Sequence, residues 1–120
     1  MKDFSSSEGS MTPDLIRMAG ITPDEFDRRY GASPLYRATR NGFVRNVVTA
    51  LGNSGKPEVI PALEKALSDS SAVVRASAAW ALGQISPERA SRTLTALKRN
   101  ETDPVVLDEI NLLAATGSTD

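Results

Sequence analysis

The sequence predicts an all-α fold, a short α-solenoid of helical hairpins preceded by two or three short helices. Three observations predict it: an internal repeat, apolar residues at helical spacing, and a series of capped helix starts. The composition agrees, because 40% of the residues are hydrophobic but only 5% are aromatic. Ala, Val and Leu must therefore fill the interior, and that mixture suits closely packed helices better than a β-sandwich.

The internal repeat has a period of about 30 residues. Residues 46–55 align with residues 77–86 at an offset of 31, which superposes two Ala-Leu-Gly triplets. Residues 56–69 then align with residues 86–99 at an offset of 30, and residues 105–116 form a third, degraded copy. A fixed period of this size indicates stacked helical hairpins. One hairpin has too little apolar surface to fold alone, so neighbouring repeats must stack on it.

Helix starts and stops divide the chain between these repeats. Starts are marked by a capping side chain before a proline at Thr12-Pro13, Thr22-Pro23, Ser33-Pro34, Ser86-Pro87 and Asp103-Pro104, and by Ser70 or Ser71. Stops are expected at Gly20, Gly31, Gly42 and Gly55. Pro61 lies inside its helix pattern and is expected to bend that helix, because it removes a backbone hydrogen bond.

The predicted organisation has four parts: a flexible lead-in over 1–10, N-terminal helices over 11–42, repeats over 43–116, and a tail over 117–120. No segment is long and apolar enough for a membrane span, and the start lacks the basic-then-apolar pattern of a signal peptide. We therefore expect a cytoplasmic protein that does not interact with a membrane.

Cysteine and histidine are both absent from the sequence. This excludes thiolate zinc sites, cysteine-ligated iron–sulfur clusters, and catalytic triads that use histidine. There is no phosphate-binding Gly-rich loop, and no two carboxylates are placed as an acid/base pair. We expect no catalytic, metal or cofactor-binding residue in this chain, and no enzyme activity of the chain alone.

The net charge of −1 hides a strongly basic segment. Between Asp27 and Glu58 the chain has no acidic residue, yet it carries six basic ones: Arg28, Arg29, Arg37, Arg40, Arg45 and Lys56. Guanidinium groups donate paired hydrogen bonds to phosphate oxygens, so these six residues are candidates for binding a nucleic-acid backbone. The alternative is a solvated face, with Arg28 and Arg29 paired to nearby acids. Arg37 and Arg40 have no acid within helical reach.

Two aromatic residues are candidates for base stacking. Trp80 lies away from the apolar stripe of its helix, and Tyr36 lies beside Arg37. The alternative for both is packing against a neighbouring helix. Arg75 is expected to form an ion pair with an acid of a neighbouring turn, and Asp69 is a candidate for that acid. Apart from this pair, we expect Glu58, Glu64 and Asp69 to be solvated acids on the surface.

Two resemblances to known families follow from these motifs. Residues 73–85, preceded by residues 57–71, resemble a HEAT-like repeat of the short type. Residues 12–85 resemble the C-terminal region of the epoxyqueuosine reductase family. The motifs that carry this second resemblance are Glu25-Phe26, Ser33-Pro34, Arg37 and Arg40, Arg45-Asn46, and Gly52-Asn53-Ser54.

The second resemblance implies a function. Members of that family are iron–sulfur, cobalamin-dependent enzymes that act on tRNA in queuosine biosynthesis. Without cysteine this chain cannot hold their clusters, so cobalamin and 4Fe–4S clusters are expected only in the parent family. The resemblance implies a non-catalytic, tRNA-binding C-terminal part of such a protein, which contacts backbone phosphates through the matching basic positions.

Two alternatives remain. The repeats could form a scaffold for protein–protein interaction, with an upstream catalytic domain or another protein as the partner. HEAT-like repeats also occur in bilin lyases, but nothing in this sequence marks a chromophore site.

Overall fold

A computed structural model describes residues 13–30 and 36–117, and side chains within 15–30 and 39–113. Every regular element in these residues is helical, which confirms the predicted all-α class. The helices are α1 (Pro13–Met18), α2 (Pro23–Tyr30), α3 (Tyr36–Ser54), α4 (Ile60–Ala66), α5 (Ala72–Ile85), α6 (Pro87–Lys98) and α7 (Pro104–Gly117), with a three-ten helix, Pro57–Val59, before α4. The predicted lead-in and the last three residues of the tail lie outside the described residues.

The predicted helix starts carry the expected caps where the side chains are described. The Thr22 hydroxyl accepts a hydrogen bond from the backbone N–H of Glu25 at 3.0 Å. Ser71, Ser86 and Asp103 accept corresponding bonds at the starts of α5, α6 and α7. At the other end of α3, Gly55 has a φ of +68°, the left-handed conformation that closes helices and favours glycine. Thr12 and the Ser33-Pro34 start lie outside the described residues.

Two sequence predictions about the helices were wrong, one about a helix end and one about a bend. Gly42 does not stop a helix, because α3 continues through it for 19 residues. Val44, Val47 and Val48 of the same helix are buried, and this packing outweighs the ~1 kcal/mol that a glycine costs a helix. The predicted boundary between 42 and 43 consequently falls inside α3. Pro61 does not bend a helix either, since it lies in the first turn of α4, where its missing N–H has no partner to lose.

The helices stack as two and a half hairpins around α5. Hairpins α4–α5 and α6–α7 follow α3, and α5 packs against all four of its neighbours, α3, α4, α6 and α7. The most extensive contacts of α5 are with α3 and α7, and α6 also contacts α7. The short helices α1 and α2 both pack against α3. Partly exposed side chains of α3, α5 and α7 border one common depression, and we call this surface the open face.

Small residues allow the central helices to approach closely. A side-chain Cβ added to Gly52 would lie 2.6 Å from the Cβ of Ala81, so α3 and α5 meet at this glycine. The inward face of α5 is fully buried at Val74, Ala78, Ala81 and Leu82. No helix in the described part of the chain is long and apolar enough to cross a membrane.

Candidate functional site

Arg40 is buried, which contradicts its predicted role in binding phosphate. Its exposed fraction is 2%. The Asp69 carboxylate accepts hydrogen bonds from Nη2 at 2.7 Å and Nη1 at 2.9 Å. The Ile21 carbonyl accepts from Nε and Nη2, and the Asn41 side chain accepts from Nη1. All five N–H groups of the guanidinium are therefore used inside the protein, and none remains for a nucleic acid.

Asp69 is correspondingly not a solvated acid. It also accepts a hydrogen bond from the backbone N–H of Ser71 at 2.9 Å. Burial raises the pKa of Asp69, but the hydrogen bonds from Arg40 and Ser71 outweigh burial and hold the pKa below its ordinary value. The buried pair thus remains ionised at neutral pH.

Arg75 makes a second, similar bridge in the next repeat. Its partner is Glu101, whose carboxylate accepts from Nε at 2.9 Å and from Nη2 at 3.0 Å. The predicted partner Asp69 contributes its backbone carbonyl instead, which accepts from Nη1 at 2.8 Å. The hydrogen bond from Arg75 lowers the pKa of Glu101 and outweighs the opposing effect of burial. The expected bridge exists, with a different acid.

The two arginines connect successive loops. Arg40 joins the carbonyl of Ile21, before α2, to the carboxylate of Asp69, before α5. Arg75 joins the carbonyl of Asp69 to the carboxylate of Glu101, before α7. We name this series the arginine ladder. It is a structural element that attaches the N-terminal helices to the repeats.

The sequence contained one signal for the ladder that our prediction did not use. Asp69 and Glu101 each lie two residues before the cap of the following helix, and each accepts a hydrogen bond from that cap's backbone N–H. The arginines were harder to match, because the repeat alignment places Arg75 opposite Val44 or Arg45. Arg40 lies before the region in which the two repeats align.

The remaining predicted basic residues are outside the core. Arg28, Arg29 and Arg45 are exposed and Lys56 is partly buried. Arg29 lies 3.7 Å from Glu25, an exposed pair that contributes little to stability. Among the described side chains, no carboxylate lies within ion-pair distance of Arg28, Arg45 or Lys56. The side chains of Arg37 and Tyr36 lie outside the described residues.

A shallow depression lies on the open face formed by α3, α5 and α7. It is lined by Thr49 from α3, by Ala76, Ser77 and Trp80 from α5, and by Glu109 from α7. Trp80 is partly buried, and its six-membered ring lies against Gly52, where a Cβ would be 3.0 Å from Cζ3. The six-membered ring of Trp80 thus packs against α3, which was the alternative to base stacking in the sequence analysis. The ring also borders the depression.

Glu109 is the charged group in the lining of this depression. Burial raises the pKa of its carboxyl above the ordinary value. Arg45 precedes Thr49 by four residues on α3, so both side chains lie on the same side of that helix. The open face thus combines a cation, an aromatic ring and a carboxylate. Sequence reasoning found the first two and missed Glu109, because its neighbours come from different repeats.

A second group of exposed cations was not predicted. Arg92 and Lys98 are exposed on α6, and the exposed Arg99 directly follows that helix. Lys98 donates a hydrogen bond to the side chain of Asn111 at 2.8 Å. Arg89, on the same helix, pairs with Glu64 at 3.0 Å, so Glu64 is also not a free acid. The protein thus has two groups of exposed cations that could contact a nucleic acid, and an experiment must distinguish them.

No metal centre is formed by the described side chains. They contain no group of three or more acidic, cysteine or histidine residues that could hold an ion. The whole chain also lacks the cysteine thiolates that iron–sulfur clusters require. The residues present do not fit such clusters.

Comparisons with known proteins agree with this architecture. Residues 42–114 match the family model for HEAT repeats. An epoxyqueuosine reductase of Xanthomonas campestris is 43% identical over 83 residues, which are 68% of this chain and 23% of that protein. One of Staphylococcus aureus is 32% identical over 81 residues, which are 67% of this chain and 21% of that protein. The chain thus spans less than a quarter of these relatives, and no solved structure matches it.

Proposed function

This chain belongs to the HEAT-repeat family, and from that premise we propose that it is a non-catalytic tRNA-binding module of an epoxyqueuosine-reductase-like protein. The module would hold RNA for a catalytic domain that carries the clusters and cobalamin. As part of the same proposal, we expect it to act in the cytoplasm in queuosine biosynthesis.

The observation that carries the proposal is a set of exposed cations for which the described residues provide no acidic partner. Arg28 and Arg45 are exposed, and no described carboxylate lies within ion-pair distance of either. The segment that contains them has no acidic residue over 28–57. Arg45 donates one hydrogen bond from Nη2 to the Asn46 side chain at 3.3 Å. A guanidinium without an acidic partner can still donate paired hydrogen bonds to phosphate oxygens. With Arg40 removed from the set, the proposed contacts are Arg28, Arg29, Arg45 and Lys56, together with Arg37 as a candidate from the sequence.

Binding of labelled tRNA, measured by fluorescence anisotropy over a range of salt concentrations, tests the proposal. Neutralising about three or four phosphates gives a slope near −3 in a plot of log affinity against log salt. We expect an Arg28→Glu/Arg45→Glu variant to bind at least about tenfold more weakly and to show a shallower slope.

The matched control is an Arg92→Glu/Arg99→Glu variant, which makes the same charge change on the α6 side. We expect it to bind tRNA with nearly unchanged affinity. Equal losses in both variants would indicate unspecific attraction to net charge, and full affinity in the Arg28/Arg45 variant would refute the proposal.

A second candidate function, a scaffold for protein–protein interaction, is favoured by one observation. Val73 and Val105 are the second residues of α5 and α7, and they are 45% and 54% exposed. Exposed apolar side chains at equivalent repeat positions suit a protein partner. Co-elution with the catalytic part of the Xanthomonas relative, lost in a Val73→Asp/Val105→Asp variant, would favour this function.

A further inference from the structure

The depression on the open face brings together three kinds of group from three helices. Trp80 supplies an aromatic ring, Glu109 a carboxylate, and Thr49 and Ser77 supply hydroxyl groups. The Thr49 hydroxyl donates to the carbonyl of Arg45 at 2.8 Å, which leaves its oxygen free to accept. The arginine ladder does not use any of these residues, and neither does the proposed phosphate contact.

A planar ligand matches this combination of groups. Stacking on a tryptophan ring stabilises any flat π-system, and every nucleobase presents one. A carboxylate, in contrast, is selective, because in its ionised form it only accepts hydrogen bonds. A base that binds here must therefore present N–H donors on the edge that faces Glu109.

Guanine is the base whose pairing edge fits a carboxylate. Its N1–H and N2–H donors are adjacent and parallel, so they can bind both oxygens of one carboxylate. Adenine and cytosine each present a single exocyclic amino group beside an acceptor nitrogen, which the carboxylate would repel. Uracil presents one N–H between two carbonyl oxygens. Reading a pairing edge in this way requires an unpaired nucleotide.

The positive charge of Arg45 favours an RNA ligand over a protein ligand. An arginine side chain of a partner protein is also planar and also donates two parallel hydrogen bonds to a carboxylate. It would meet like charge from Arg45, which lies one helical turn before Thr49 on the same side of α3. A nucleotide instead carries a phosphate that Arg45 attracts.

We infer that the depression between α3, α5 and α7 binds an unpaired guanine, with the base stacked on Trp80, its N1–H and N2–H bound to Glu109, and its phosphate near Arg45. The inference rests on the proposed RNA-binding function and assigns it a base-specific contact.

Trp80 provides the measurement directly, because it is the only tryptophan of the chain. Its fluorescence is titrated in the full chain with GMP, AMP, CMP and UMP, with excitation at the red edge of the tryptophan band. We expect saturable quenching by GMP with a dissociation constant on the order of 1 mM. The other three nucleotides should bind at least about tenfold more weakly, since they lack the paired donors. Failure of GMP to saturate, or equal binding of AMP, would overturn the inference.

Two variants distinguish a direct contact between GMP and the Glu109 carboxylate from an effect of the net charge of the protein. Glu109→Gln should weaken GMP binding about tenfold, because the amide offers only one acceptor oxygen. Asp108→Asn is the matched control, since the adjacent residue is exposed and does not line the depression. It should change GMP binding less than twofold. Equal effects of the two variants would refute the contact to Glu109.

Two further outcomes distinguish this inference from the proposed function. If an arginine amide quenches Trp80 more strongly than GMP does, the depression is a protein-binding site and the guanine assignment is wrong. If tRNA binds through Arg28 and Arg45 but leaves Trp80 fluorescence unchanged, the inference fails while the proposed function stands. If GMP binds and tRNA does not, the proposed function fails and the guanine site remains.

Discussion

At the scale of single residues, Arg40 shows how burial changes the meaning of a charge. In the sequence it is one of six cations in a segment without acids. In the folded protein it donates five hydrogen bonds to Ile21, Asn41 and Asp69. A buried charge that lost its partner would be strongly destabilising, because the desolvation cost would no longer be offset.

The first prediction concerns the Asp69 carboxylate. We expect Asp69→Asn to lower the free energy of unfolding by about 3–5 kcal/mol, because it leaves Arg40 buried without a counter-charge. Glu64→Gln is the control, since it removes an exposed pair with Arg89 and should cost at most about 1 kcal/mol. Urea denaturation of both variants measures the difference. A cost for Asp69→Asn no larger than that of the control would show that the ladder is not structural.

At the scale of helices, the contact between α3 and α5 depends on the absence of a side chain. Gly52 has no room for a methyl group, because Ala81 and the ring of Trp80 occupy the space. Gly42 lies on the same helix, and a Cβ added there would have no neighbour within 4 Å. A glycine-to-alanine substitution can therefore be compared at a crowded position, Gly52, and at an open position, Gly42, of the same helix.

The second prediction compares these glycines. Gly52→Ala should destabilise the protein by about 1–3 kcal/mol, because α3 and α5 must move apart. Gly42→Ala should stabilise it by about 0.5–1 kcal/mol, because alanine favours the helix and meets no obstacle. Thermal denaturation followed by circular dichroism measures both. Effects of the same sign would contradict the close approach seen at Gly52.

At the scale of the whole molecule, the arginine ladder makes stability depend on pH. The folded protein holds the pKa values of Asp69 and Glu101 below their ordinary values. For carboxyl groups with a lowered folded-state pKa, the stabilisation is fully present above the unfolded-state pKa and is lost as pH falls through the folded-state pKa. The ladder links α2, α5 and α7, so its loss weakens the entire stack.

The third prediction follows from the loss of this stabilisation at low pH. The free energy of unfolding should fall as pH drops below about 5, and the fall should be smaller in an Asp69→Asn/Glu101→Gln variant. Glu109 acts in the opposite direction because its pKa is raised, so the difference between the two proteins isolates the ladder. Denaturant titrations at a series of acidic pH values provide the measurement. Parallel curves for the two proteins would exclude the ladder as the source.

Much of the fold could be predicted from local patterns. The caps at Thr22, Ser71 and Ser86, and the glycine end at Gly55, depend on a few neighbouring residues. The repeat depends on a regular spacing of apolar residues, and residues 42–114 match the corresponding family. Most helix starts and the stacking as hairpins were therefore readable from the chain, because short-range backbone chemistry and apolar periodicity specify them. The continuation of α3 through Gly42 was not readable, because it depends on the burial of that helix.

The candidate site was less accessible, because its contacts join residues that are far apart along the chain. Arg40 and Asp69 are separated by 29 residues, and Arg75 and Glu101 by 26. Thr49, Trp80 and Glu109 come from three different helices. Local pattern indicates that these side chains are charged or aromatic, but burial and partners arise only when the helices stack. Tertiary structure thus decided that Arg40 belongs to the interior, whereas Arg28, Arg45 and the Trp80 depression face the solvent.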